Sequence, residues 1–183
     1  MRTLRTLFVV SIAFLGIFTT SAGAQSFADS RKDSRSIDEQ VYHKVRGLTR
    51  YNTFDYITWQ VNGGTVTLNG KINSLGTVDE AERAVKRIPG VTKVVNNLDM
   101  LPASSFDDQI RRAALREFTN RGPAQYFGYP NPDVHIIVEN GRITLEGFVS
   151  RKGDSDMMNI LANTIPGVFR VTNNLVVGEP TKY

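Results

Sequence analysis

The residues able to do chemistry in this chain are few and scattered. There are two histidines, His43 and His135, and no cysteine, which removes thiolate metal sites, disulfides and a cysteine nucleophile together. Neither histidine stands at a spacing that ligates a metal or completes a nucleophile–base pair. His43 falls near an apolar helical stripe and His135 alternates away from the core side of its strand, so both are expected at surfaces. The adjacent carboxylates Asp79-Glu80 and Asp107-Asp108 sit at helix starts, where the positive end of the helix dipole accounts for them. No phosphate-binding loop, dinucleotide fingerprint or nucleophile elbow occurs. The expectation is a protein that is not an enzyme and that uses neither cofactor nor metal.

What remains is a mixture of aromatics and cations in the second half. Tyr126, Phe127 and Tyr129 lie within a stretch rich in glycine and proline, residues 121–132. Arg112 and Arg116 are four apart on one helix face. Arg151-Lys152 and Phe169-Arg170 complete the set. A tyrosine can place its ring in the apolar layer of a membrane and its hydroxyl in water. Each cation near an anionic phospholipid surface adds on the order of 1 kcal/mol. These nine residues are the candidate lipid- or partner-binding set. Two bland readings stand beside it: Tyr126 and Phe127 could cover an end of a sheet or cement two modules, and Asp154, Asp156 and Glu117 could pair with the cations.

The elements that must position these residues come as a repeat. The stretch Val61–Leu98 returns as Val138–Leu175, shifted by 77 positions without a gap, with fifteen of thirty-eight positions identical. A shared register of that length marks one module used twice. In the first copy Ile37, Val41, Val45 and Leu48 form a helical stripe, with Ser36 as N-cap. Ile57, Trp59 and Val61 alternate on a strand, Asn62-Gly63-Gly64 is a hairpin turn, and Val66 and Leu68 point inward from the partner strand. Asp79–Ile88 resumes helical spacing until Pro89-Gly90 ends it, and Val91–Met100 is a last strand.

The second copy reads alike. Phe106, Ile110 and Ala114 line its first helix, capped by Ser105. Val134, Ile136 and Val138 form its first strand. The first helices align with an offset of 69, so eight extra residues (77 − 69) fall within 121–132 of the second copy. The order helix, strand, strand, helix, strand predicts an α+β fold of two tandem αββαβ modules, each with two helices on one face of a three-stranded mixed sheet. At 60–70 residues a module is near the lower limit for a self-sufficient core, so the two are expected to pack together, or at least to be marginal when separated.

Residues 1–24 read as a secretory signal, with Arg2 and Arg5 ahead of the apolar run Leu7–Phe18 and small residues at Ala22-Gly23-Ala24. Removing that segment leaves 22 − 2 = 20 basic residues against 18 acidic ones, too even a balance for a general nucleic-acid binder. The remaining boundaries are a flexible leader at 25–36, modules at 37–100 and 106–178, a linker at 101–105 and a tail at 179–183. Without a cysteine to carry lipid, the exported chain is expected to be periplasmic and peripheral to the membrane, not anchored in it.

Two motifs in each copy carry a family resemblance. The first copy has Gly64-Thr-Val66-Thr-Leu68-Asn-Gly70-Lys-Ile72 and Gly90-Val91-Thr-Lys-Val94-Val-Asn96-Asn-Leu98. The second has Gly141-Arg-Ile143-Thr-Leu145-Glu-Gly147-Phe-Val149 and Gly167-Val168-Phe-Arg-Val171-Thr-Asn173-Asn-Leu175. Each copy resembles the BON domain family. That resemblance implies an envelope protein tied to osmotic or envelope stress, with contact to an anionic phospholipid surface through the second module. The competing expectation is a protein-interaction scaffold among envelope proteins. Gly70, Gly147, Gly90 and Gly167 are read as fold markers, because a strand glycine signals a bulge or a close backbone approach.

Overall fold

Residues 36–128 and 132–178 are described in a computed structural model. The signal and most of the leader, Tyr129, and the tail lie outside them. Residues 36–46 are helical (α1) and are followed by β1 (Tyr56–Asn62), β2 (Thr65–Ile72), α2 (Thr77–Lys86) and β3 (Lys93–Met100). The second module comprises α3 (Ser105–Arg121), a single 3-10 turn at Ala124–Phe127, β4 (Val134–Glu139), β5 (Arg142–Val149), α4 (Lys152–Asn163), β6 (Arg170–Asn173) and β7 (Val176–Val177). This is the α+β tandem arrangement read from the sequence. The last strand of the second module is split at Asn174-Leu175, and both halves run parallel to β5.

The 77-residue shift survives into the hydrogen-bond register. Ile57 faces Gly70 across the first hairpin, and Val134 faces Gly147 across the second; both members of the second pair are displaced by 77. The parallel pairs Thr65–Lys93 and Arg142–Arg170 share a separation of 28 residues (93 − 65 and 170 − 142). Gly70 and Gly147 have φ of 142° and 113°, and a Cβ there would collide with the carbonyl oxygens of Tyr56 and Asp133. Only glycine allows that approach between hairpin strands.

Each module has its own core. Ile37, Val41, Val45, Val66, Leu68, Ala81 and Val85 fill the first, and Ile110, Ala114, Phe118, Ile136, Leu145, Met158 and Ala162 the second. Three expectations need correction. Phe106 does not line the core: it is 45% exposed where its counterpart Ile37 is 4% exposed. The cap of α3 is Ser104, whose hydroxyl accepts from the Asp107 amide, not Ser105. α2 begins at Thr77, two residues before the apolar spacing starts, with Gly76 at its N-cap.

The modules dock through the segment between α1 and β1. Thr53 covers the free edge of β4: its carbonyl accepts from the Ile136 amide at 2.6 Å, and its hydroxyl donates to the Val134 carbonyl at 2.9 Å. Phe54 packs onto the second core. Ion pairs Arg46–Asp133 and Lys71–Glu139 flank the joint. Edge pairing of this kind blunts a strand edge that would otherwise invite aggregation. β4 is therefore buried on both faces, whereas the outward residues Thr58 and Gln60 of β1 remain exposed. Among the described residues no helix is long and apolar enough to cross a membrane.

Candidate functional site

The hairpin end of the second module carries an exposed aromatic pair on a glycine floor. Phe169 donates its amide to the Gly141 carbonyl at 2.8 Å, and its ring occupies the space where a Gly141 side chain would be. The Phe106 ring lies across Gly167 in the same way. The two rings are 6.3 Å apart between centroids, and Phe169 is 78% exposed. Arg142 and Arg170, adjacent on β5 and β6, are both exposed beside Phe169. Neither forms an ion pair among the described residues.

Buried charges hold this end rigid. Asp107 is buried, and its carboxylate accepts the Asn140 and Gly141 amides at 2.9 and 2.8 Å. The helix-dipole account of Asp107 is thus incomplete: its carboxylate clamps the hairpin turn that supports Phe169. Arg111, also buried, bridges Asp108 and the Val138 carbonyl, each at 2.6 Å. In the first module, where Thr92 takes the place of Phe169, the same end is closed. The Thr92 hydroxyl bonds the Gly64 carbonyl at 3.2 Å, and Ile37 folds over Gly90. Asp38, the counterpart of Asp107, accepts instead from the Trp59 indole at 2.6 Å.

The nine candidates do not form one surface. Phe169 and Arg170 belong to the hairpin end. Arg151 and Lys152 follow the other end of β5, eight residues and roughly 25 Å away, and Lys152 pairs with Asp156. Arg112 and Arg116 are exposed along α3 as it runs away from the hairpin end, with no ion-pair partner among the described residues. Tyr126 is buried in the second core. Its hydroxyl donates to Asp154 at 2.7 Å and accepts the Ser150 amide at 2.9 Å. Its ring therefore offers nothing to a membrane. Phe127 is half-buried and stacks on Phe118 at 5.6 Å. Tyr129 lies outside the described residues.

Sequence reasoning passed over Phe106 and Arg142. The first had been assigned to the core by helical spacing, and the second was an unremarked strand residue. The signal was available in the pairing of the copies: Phe169 and Phe106 replace Thr92 and Ile37 at aligned positions. The expected surface position of His135 is also corrected. It faces away from its own core but is 5% exposed, buried against the first module beside Tyr51 and Tyr56. Ionisation elsewhere is shifted by ordinary causes. The bond to Asp99 holds the Lys71 ammonium above its usual range, and burial raises the Glu146 carboxyl. Among the described residues no group of three His, Asp or Glu side chains is arranged to hold a metal ion.

Comparison with known proteins agrees with the repeat. The model of a family described as "BON domain" matches twice, over residues 36–102 and 107–179. No curated protein sequence matches the chain. Among solved structures, the C-terminal domain of CdsD, a structural protein of the type III secretion system of Chlamydia trachomatis, is 14% identical. That comparison covers 75% of this chain and 96% of the CdsD chain, with a TM-score of 0.30. A second CdsD structure from the same organism is also 14% identical, covering 77% and 93%, with a TM-score of 0.26.

Proposed function

The chain belongs to the BON domain family and carries the module twice, and from that premise we propose that it is an exported, non-catalytic envelope protein that binds anionic phospholipid surfaces through the hairpin end of its second module. The observation that carries this reading is the exposed Phe106–Phe169 pair flanked by Arg142 and Arg170. Burying much of two phenyl rings and bringing two arginines to an anionic surface contribute roughly 5 kcal/mol together. That corresponds to a sub-millimolar affinity, on the order of 10⁻⁴ M, which suits a peripheral protein that comes and goes with ionic strength. The periplasm is its proposed location, and maintenance of the envelope under osmotic stress its proposed role.

The purified mature chain should co-sediment with phosphatidylglycerol-containing vesicles, less so as salt rises and little with purely zwitterionic ones. Phe169→Ser combined with Arg170→Gln should abolish that binding while leaving the fold intact. Sedimentation that ignores both lipid charge and this double substitution would sink the proposal. One observation favours a second reading, a scaffold that engages another envelope protein. Met157 and Ile160 lie exposed on α4, where the first module has Glu80 and Arg83. Loss of a partner in pull-down on Met157→Lys and Ile160→Glu, with vesicle binding retained, would support that scaffold.

A further inference from the structure

His135 is the one imidazole in the joint between the modules, and its surroundings fix how it is used. The Asn52 carbonyl, 3.3 Å from Nδ1, can only accept, so Nδ1 carries the proton. Nε2 is then the acceptor for the Tyr51 hydroxyl, also at 3.3 Å. Both partners belong to the first module, and both ring nitrogens are spent on docking. The rings of Tyr51 and Tyr56 enclose the imidazole, with centroids 5.2 and 5.4 Å away. We propose that this contact is an acid-sensitive latch, in which protonation of His135 separates the two modules without unfolding either.

The Asn52 and Asp55 carbonyls favour an imidazolium, but desolvation outweighs them and the charged groups around the latch do not neutralise it. Arg46, on α1, already brings a positive charge to the joint, and Asp133 is committed to it at 3.4 Å. Asp55 spends its carboxylate on the Asn52, Asn73 and Ser74 amides. Glu146, the cross-strand neighbour of His135 on β5, accepts from Asn174 at 2.8 Å. Glu139, further along β4, is held by Lys71. The Tyr51 phenol offers no negative charge either, since burial raises its hydroxyl above the ordinary value. A protonated Nε2 would also lose the hydrogen bond it accepts. Separation rehydrates the ring and removes all of these penalties at once.

The sign follows from the burial. Desolvation lowers the His135 pKa from 6.5 to about 4 in the docked state. Docking is therefore at full strength above about 6.5 and weakens progressively as pH falls toward 4, by roughly 300-fold in total. Below that the dependence levels off. The other inter-module hydrogen bonds and ion pairs, centred on Thr53, Arg46 and Lys71, set the baseline that the latch modulates.

The test uses the full mature chain. Because it has no cysteine, Lys86→Cys and Asn163→Cys place one label on each module for distance measurement by paired spin labels. The label distance should stay constant from pH 8 to 6.5 and lengthen between 6.5 and 4, with far-ultraviolet circular dichroism unchanged. His135→Gln, whose amide can serve both Asn52 and Tyr51 but cannot titrate here, should remove the lengthening. Tyr51→Phe keeps the titrating ring but deprives its neutral form of a donor, and should move the opening to higher pH. A constant distance down to pH 4, the same opening in His135→Gln, an unmoved midpoint in Tyr51→Phe, or loss of secondary structure in step with the opening each overturns the latch. So does an NMR titration that finds His135 at its ordinary value of 6.5.

Discussion

The amide of Asn73 in the first module and that of Ser150 in the second hold the same place, 77 residues apart, and different chemistry answers them. In the first module Asp55 accepts from Asn73 at 2.7 Å, and from Ser74 and Asn52 as well. In the second, Pro132 stands at the position of Asp55 and cannot accept with its side chain. The Ser150 amide turns instead to the hydroxyl of Tyr126, which arrives from the eight-residue insertion. A repeated backbone imposes a repeated demand, and unrelated side chains satisfy it. The inserted tyrosine resembles a surface aromatic in sequence and works as a polar anchor in a core.

Substitutions sharpen this contrast in order of size. Tyr126→Ala should cost about 3–5 kcal/mol of unfolding free energy in urea titration, through a cavity and an orphaned amide together. A small loss of stability with loss of vesicle binding would instead return the ring to the surface. Asp55→Ala should cost about 3 kcal/mol, because three part-buried amides lose the acceptor that a buried carboxylate gives them. Tyr126→Phe keeps the packing and removes the hydroxyl, so about 1–2 kcal/mol is expected; a result equal to Tyr126→Ala would mean that the hydrogen bond outweighs the ring. Phe169→Ser should change stability by less than about 0.5 kcal/mol, as befits an exposed position. A larger loss would show that the aromatic tip is part of the core and not a surface for lipid.

The hairpin ends repeat the lesson from the opposite side. Ile37 and Thr92 close the first module over Gly90 and Gly64, and Phe106 and Phe169 stand open over Gly167 and Gly141. Helical spacing placed Phe106 inward because α1 and α3 share a stripe. Phe106 still lies over Gly167 as Ile37 lies over Gly90, but its neighbour is the exposed Phe169 ring where the first module has Thr92, and it stays 45% exposed. Arg151 and Lys152 were grouped with Phe169 by charge and sequence proximity. The antiparallel return of α4 alongside β5 puts them at opposite ends of the sheet.

The sequence by itself determined the repeat, the order of elements, the two cores and the glycines on which each hairpin closes. These are local quantities: apolar periodicity and positive φ are written in neighbouring residues, and the 77-residue shift copies them twice. Only the tertiary structure decided which polar and aromatic groups are accessible. β4 reads as a half-buried strand, yet its outer face is covered by a loop from more than 80 residues earlier, through Tyr51, Asn52 and Thr53. The near-continuous apolar run Val134-His-Ile-Ile-Val138 was the available hint, since strands covered on both faces lose their alternation. Pairings at that separation depend on how two modules close on each other, and no periodicity within either module encodes it.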